Sequence, residues 1–191
     1  MLELIAGIVV FLGAHSFTTL RERRAAVIGR IGPLAYRIVH SLVSLAGLVL
    51  IVRGYGHYRA SGYIPVWTPP LWLSHVTILL MWFAFVSLAA MGKRPGRIRG
   101  WLRHPMLVAI KIWALAHLLA NGDLGSMVLF GSFLAWAVYD RIAVKRRGDD
   151  GAPRVPRFTR ADAMVLAIGT VAYVAMIFLH PVLIGVPVLM R

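Results

Sequence analysis

The sequence contains no cysteine among its 191 residues. Disulfide bonds, thiolate metal sites and covalent attachment of haem through a Cys-x-x-Cys-His motif are therefore excluded. Acidic residues are also scarce, because seven aspartates and glutamates face 21 lysines and arginines, for a formal net charge of +14. A closed zinc site, which takes four ligands that often include carboxylates or thiolates, has few candidate ligands in this chain.

Charged residues make up only 15% of the chain, whereas apolar and aromatic residues make up 59%. This balance lies outside that of ordinary soluble domains. Six apolar runs approach the roughly 20 residues that a helix needs to cross a bilayer. They are Leu2–Leu20, Leu34–Val52, Leu71–Met91, Pro105–Ala120, Leu124–Ile142 and Ala163–Ile184. We therefore predict an all-α, polytopic membrane bundle of about six transmembrane helices, forming a single domain over residues 1–191.

The positive charge is concentrated in three segments, which follow the first, third and fifth predicted helices. These segments carry Arg21, Arg23, Arg24 and Arg30, then Lys93, Arg94, Arg97, Arg99 and Arg103, then Lys145, Arg146, Arg147, Arg154, Arg157 and Arg160. The opposite connections carry little beyond Arg53, Arg59 and Arg191. This alternation is the positive-inside pattern, and it predicts cytoplasmic basic segments with both termini outside. We therefore expect the lipid bilayer, and not nucleic acid, to be the partner of this charge.

Local patterns predict several boundaries within this arrangement. Pro105 suits the first turn of a helix, where its missing N–H would have no partner. The segment Thr159–Asp162 resembles a capping box with aspartate in place of glutamate. We expect Arg21–Gly32 to form a basic loop and Arg146–Arg160, with its glycines and prolines, to form a linker.

Three histidines lie at matching depth on three different predicted helices, in the cytoplasmic half of the membrane. They are His15, His40 and His104. An ionisable side chain inside a membrane is costly unless it is paired, so these residues are candidates for a functional site. His117 is on the same predicted helix as His104 but roughly 20 Å along it. His104 therefore needs a partner from another helix.

Two imidazoles in an apolar slot favour haem over a bare metal ion, because bis-histidine haem needs only two nitrogen ligands and cations for its propionates. Arg37 and Arg103 lie beside the candidate ligands and could form charge-assisted contacts with a propionate. Anchoring of the helix ends to lipid phosphates explains these two arginines equally well. Lys111 lies along nearly the same helical stripe as His104, and we expect it to face a polar cavity rather than lipid.

Five stretches together resemble the NnrU family of bacterial membrane proteins. They are Gly13–Ser16, Ile31–Arg37, Arg103–Pro105, Ile112–His117 and Trp136–Asp140. The resemblance covers nearly the whole chain, and it implies the bacterial inner (plasma) membrane and an association with denitrification and nitric oxide metabolism.

The NnrU family is similar to the zeta-carotene isomerases, which are integral membrane enzymes that use haem b to isomerise a polyene double bond. That similarity implies that His15 and His104 are the haem ligands and that the substrate is an apolar small molecule. Because His40 lies at the same depth, we keep it as the reserve ligand. The isomerases have a redox-active cysteine shortly before the Arg-His-Pro motif. This chain has Arg99–Leu102 there, so a thiolate switch is excluded.

Two further functions stay open beside a haem-dependent isomerase or oxidoreductase. An Arg-His-Pro motif that opens a membrane helix also resembles the membrane methyltransferases that use S-adenosylmethionine. Those enzymes usually carry an acidic element after the next helix pair, where this chain has Asp140 followed by a basic tail. The remaining alternative is a non-catalytic accessory factor of nitrogen-oxide respiration.

Overall fold

A computed structural model describes residues 1–92 and 94–188 of the chain. Lys93 and Arg191, which belong to the charge pattern above, lie outside the described residues. The described residues form α-helices and no β-strand, which confirms the all-α class. The helices are α1 (Leu2–Phe17), α2 (Arg21–Ile31), α3 (Pro33–Ser61), α4 (Leu71–Ala89), α5 (Arg97–Leu102), α6 (Pro105–Ala120), α7 (Leu124–Arg146) and α8 (Arg160–Ile184).

Four of these helices, α3, α4, α7 and α8, are long and apolar enough to cross a membrane. The bent pair of α1 and α2 makes a fifth if it counts as one span, and α6 is apolar but has only 16 residues. Val171 and Phe178 on α8 each expose 69% of their surface, as lipid-facing side chains would. The chain is therefore a helical membrane protein, while six spans with both termini outside stay a prediction.

The segment expected to be a basic loop is instead helical, so the prediction of a loop over Arg21–Gly32 is wrong. It forms α2, which is bent by 89° from α1 and buries none of its residues. Its arginines and alanines favour a helix, and Gly32, with a φ of 81°, ends it. An exposed basic helix that turns sharply away from an apolar helix has the character of an interfacial helix.

The contacts divide the chain into two compact units, which are described separately. The first comprises Met1–Trp67 and Gly122–Ala143, and the second comprises Thr68–Asn121 and Val144–Arg191. The first unit therefore contains α1, α2, α3 and most of α7, and the second contains α4, α5, α6 and α8.

In the first unit, α1 packs on α3 so closely that three positions in the contact have no room for a side chain. A Cβ atom added at Gly7 would lie 2.6 Å from the Ile51 nitrogen, and one at Gly47 would lie 2.7 Å from the Phe11 nitrogen. A Cβ added at Gly54 would overlap the backbone of α1. Close approach at small residues is how membrane helices gain packing energy without a hydrophobic driving force.

The start of α7 is anchored within the first unit by a buried hydrogen-bond network. The carboxylate of Asp123 accepts hydrogen bonds from the backbone N–H of Ser126, at 2.8 Å, and from its hydroxyl, at 2.6 Å. The Ser126 hydroxyl also lies 2.7 Å from the hydroxyl of Tyr55 on α3. Asp123 thus caps α7 in the usual manner of an N-terminal aspartate, although it is only 4% exposed.

In the second unit, α4 packs against both α6 and α8. The Thr77 hydroxyl donates to the Ala116 carbonyl at 3.0 Å, and the Trp82 indole N–H donates to the Thr170 hydroxyl at 3.0 Å. Both contacts place a polar side chain of α4 on a neighbouring helix, where it has a partner inside the bundle.

The predicted capping box at the start of α8 is confirmed, and its aspartate has a second role. Asp162 accepts hydrogen bonds from the backbone N–H and the hydroxyl of Thr159, at 2.8 and 2.9 Å. The same carboxylate accepts the backbone N–H groups of Arg97, at 3.0 Å, and Ile98, at 2.8 Å. One buried acid therefore holds the first turns of both α5 and α8.

Two further local predictions are confirmed. Pro105 occupies the first turn of α6, and residues 147–159 form no helix between α7 and α8. This linker is tied to α5 and its end, because the Ala152 N–H donates to the Arg103 carbonyl at 2.9 Å. A Cβ added at Gly100 would lie 2.7 Å from the Pro153 carbonyl oxygen.

Candidate functional site

His15 lies near the end of α1, and the structure fixes the orientation of its ring. The Nδ1 atom is 2.8 Å from the Phe11 carbonyl oxygen, one helical turn earlier, and the ring stacks on the Phe11 ring with centroids 4.3 Å apart. A carbonyl oxygen can only accept, so Nδ1 carries a proton and the neutral ring has its lone pair at Nε2. Metal-binding histidines are oriented in the same way, by donating the other ring N–H to a carbonyl group.

His40 on α3 is the closest partner of His15 among the predicted ligands of the first unit. The two ring centroids are 5.4 Å apart, with the planes at 63°. Trp136 of α7 contacts His15 edge-on, with centroids 5.9 Å apart. The Nε2 atom of His40 is buried and has no hydrogen-bond partner among the described residues. Such an atom is uncommon in native proteins, where it usually has a protein, water or ligand partner.

A cavity of about 240 Å³ opens beside His40, where α1, α2 and α3 meet. Arg37, the predicted propionate partner, lines this cavity together with His40. Its Nε atom donates to the Pro33 carbonyl oxygen at 3.4 Å. Within the first unit the structure therefore brings together His15, His40 and Arg37.

His104 lies in the second unit, as the residue that immediately precedes α6. Its Nε2 atom is 3.2 Å from the Asp149 carbonyl oxygen, so in this structure Nε2 is the proton donor. The linker also approaches the ring closely, because a Cβ added at Gly151 would lie 2.7 Å from Nε2. A metal could reach Nε2 of His104 only if this part of the linker moved.

The backbone before His104 is strained. Arg103 has φ 59° and ψ −55°, and it is the one residue other than glycine with a positive φ among those described. The N–H of His104 donates to the Leu102 carbonyl at 2.6 Å, which closes a three-residue γ-turn of the rare, positive-φ form. The side chain of Arg103 donates to the Asp150 carbonyl at 3.2 Å. Strained residues of this kind cluster at functional sites.

We predict that the Arg103→Gly variant is more stable than the Arg103→Ala variant by about 1 kcal/mol, because only glycine adopts this conformation without a Cβ penalty. Both variants lose the same side-chain hydrogen bond, so the difference between them isolates the backbone strain. Thermal or chemical unfolding of the two purified variants in the same detergent measures this difference. Equal stability, or a more stable alanine variant, would contradict a strained turn.

Lys111 lies half-buried in α6. No carboxylate in the described part of its own unit forms an ion pair with it. An apolar groove of about 130 Å³ lies between α4 and α6, and Ala109 and Trp113 are among its lining residues. Lys111 is not among those residues, and its role as a cavity-facing group stays a prediction.

The predicted site residues are thus divided between the two units. The first unit contains His15, His40 and Arg37, and the second contains Arg103, His104 and Lys111. That His15 and His104 bind one iron atom stays a prediction. Within residues 1–92 and 94–188, no three side chains of the histidine, cysteine, aspartate or glutamate types are grouped to bind a metal ion.

Sequence reasoning did not identify three neighbours of the histidine pair. The contact between His15 and the Phe11 carbonyl oxygen could have been predicted from their spacing of four residues, since groups one turn apart meet on a helix. Trp136 appeared only as part of a family-like stretch. Arg24 lines the cavity beside His40. Its sequence position indicated only that it belongs to a basic segment.

Comparison with known proteins identifies one family. No curated protein and no solved structure matches the chain. The profile described as NnrU protein matches residues 3–188, which is nearly the whole chain. The predicted resemblance is therefore confirmed, and the chain belongs to the NnrU family.

Proposed function

We propose that this NnrU-family membrane protein binds haem b and that His15 is one of the axial ligands. The observation that carries the proposal is the pair of His15 and His40. The first ring is held by the Phe11 carbonyl with its Nε2 lone pair available, and the second has a buried Nε2 without a partner among the described residues. Such a pair supplies the two neutral imidazoles that a bis-histidine haem needs.

The second ligand is either His40 or His104. The ring centroids of His15 and His40 are 5.4 Å apart with the planes at 63°, so the two rings would have to move apart for both to hold one haem. With His104 as the second ligand, as the family resemblance implies, His40 would instead be a neighbour of the haem.

The other residues of the chain have simple roles in this proposal. Phe11 orients the His15 ring, and Arg37 supplies positive charge for a propionate beside His40. When bound, haem b would supply redox or Lewis-acid chemistry towards an unsaturated substrate. The groove between α4 and α6, within the second unit, has an almost entirely apolar lining. We therefore propose that the protein isomerises an apolar polyene or has a redox role in denitrification and nitric oxide metabolism. We also propose that it lies in the bacterial inner membrane with its basic segments in the cytoplasm.

The test is the optical spectrum of the full-length protein, purified in detergent from cells that make haem b. We expect a Soret band with bis-histidine features in the parent protein and its loss in the His15→Ala variant, because an axial ligand is removed. His57→Ala is the matched control, since His57 is exposed and contacts Glu3 instead of the histidine pair. Retention of the parent spectrum in His15→Ala, or a parent protein without haem, would overturn the proposal.

Two further variants identify the second ligand. If His40 is that ligand, His40→Ala should remove the bis-histidine features as His15→Ala does, and His104→Ala should leave them intact. The reverse pattern would assign His104 instead. Circular dichroism and the elution volume of each variant show that the helices are retained.

A further inference from the structure

The cavity at the junction of α1, α2 and α3 has a lining that suits an anion. Its six lining residues are Thr18, Arg24, Tyr36, Arg37, His40 and Ser41. They include two arginines and no carboxylate, so the net charge of the lining is positive. The volume of about 240 Å³ is far above the roughly 10–15 Å³ that a single water needs. The cavity is therefore large enough for an oxyanion with part of the group that carries it.

Two of the residues that line the cavity carry a buried polar atom without a hydrogen-bond partner among the described residues. The side chain of Tyr36 is more than nine-tenths buried, and its hydroxyl has no hydrogen-bond partner among the described residues. The buried Nε2 atom of His40 lies on the same side of α3, one turn later. A buried hydroxyl that lacks a partner is unfavourable, so a ligand that comes to satisfy it binds correspondingly better.

The two arginines are positioned by contacts that leave their charge available. The guanidinium carbon of Arg24 lies 5.3 Å from the centroid of the Tyr36 ring, which is a cation–π contact. The Nε atom of Arg37 bonds to the Pro33 carbonyl, and this anchors the side chain while its terminal nitrogens can still donate to a ligand. Planar guanidinium groups are well suited to oxyanions, which they bind through paired N–H donors.

The position of the cavity indicates the source of the anion. It lies where the apolar helix α1 meets the exposed basic helix α2, and the two helices are bent by 89°. A membrane helix that ends at a basic interfacial helix does so at the level of the lipid head groups. We propose that this cavity is a phosphate-binding site and that the phosphate is the head-group phosphodiester of an anionic phospholipid.

Lipid binding at this site is separable from haem binding. His15 does not line the cavity, so His15→Ala should remove haem and leave lipid binding unchanged. Arg37 and His40 belong to both proposals, so both are left in place in every variant used below, and Arg24 and Tyr36 are the residues that test the phosphate site alone.

The experiment measures lipid retention by the full-length protein in detergent, by native mass spectrometry during titration with phosphatidylglycerol or phosphatidylcholine. We expect preferential retention of phosphatidylglycerol. Arg24→Gln should weaken retention about tenfold, since a charge-assisted hydrogen bond is lost. Tyr36→Phe should weaken it about threefold, because the hydroxyl is lost but the ring under Arg24 remains. Arg23→Gln is the matched control, as Arg23 is exposed on the same helix and does not line the cavity.

The outcomes distinguish a phosphate site from general attraction, and lipid from free phosphate. Equal losses in Arg23→Gln and Arg24→Gln would mean nonspecific attraction of lipid to a basic helix and would overturn the proposal. Absence of phosphatidylglycerol retention would also overturn it, unless inorganic phosphate binds with the same dependence on Arg24 and Tyr36. That last result would support the phosphate site and assign it to the free anion.

Discussion

Replacing Gly54 by alanine should destabilise the protein by about 2–3 kcal/mol, because the added methyl group has no space between α3 and α1. The new Cβ would overlap the backbone atoms of Glu3 and Leu4. A backbone cannot turn aside as a flexible side chain can, so the two helices would have to separate along their contact. Thermal unfolding of the purified protein in detergent should show a lower midpoint, by roughly 4–12 °C for a chain of this size.

The neighbouring Gly56 provides the control for this experiment. It lies two residues further along the same helix, and a Cβ added there would meet nothing within 4 Å. Gly56→Ala should therefore be neutral or stabilise the protein by up to about 1 kcal/mol, since alanine is the better helix former. Equal effects of the two substitutions would mean that α1 and α3 do not approach each other as closely as described.

Replacing Asp162 by alanine should destabilise the second unit by about 3 kcal/mol. The substitution removes a buried acceptor that is only 1% exposed. It leaves the backbone N–H groups of Arg97, Ile98 and Thr159 without their acceptor. The first turns of α5 and α8 would lose the same cap at once, so we expect faster trypsin cleavage after Arg97 as well as a lower unfolding midpoint.

Two comparisons show whether the hydrogen bonds of Asp162 cause this effect. Asp162→Asn keeps the shape of the side chain and one acceptor oxygen, and should lose about half as much stability as the alanine variant. Asp150→Ala changes an exposed aspartate in the nearby linker and should alter stability by less than about 0.5 kcal/mol. A similar loss for Asp150→Ala and Asp162→Ala would contradict the role of Asp162 as a shared cap.

Features that depend on neighbouring residues could be predicted from the sequence. Pro105 at the start of α6 and the capping box over Thr159–Asp162 are local patterns, and both are confirmed. The apolar runs predicted the membrane helices because a helix in lipid needs about 20 apolar residues whatever its neighbours are. The failure was Arg21–Gly32, where a high density of charge suggested a loop although its arginines and alanines favour a helix.

The candidate site depended on residues that are distant in sequence. Depth along the predicted helices selected His15, His40 and His104 together, but only the packing of α1 on α3 brought the His15 and His40 rings within 5.4 Å. Nothing in the sequence placed Arg24 against Tyr36, because that contact depends on the bend between α1 and α2.

By itself, the sequence determined the helical class, the membrane setting and the NnrU family, because composition, apolar run length and short motifs are properties of the chain. The tertiary structure alone decided that Gly54 has no room for a side chain while Gly56 has, and that Asp162 caps a second helix whose bonded residues lie 64 and 65 positions away. The physical reason is that steric exclusion and hydrogen bonding act between atoms in contact, and the partner of each of these residues comes from a distant segment that only folding brings near.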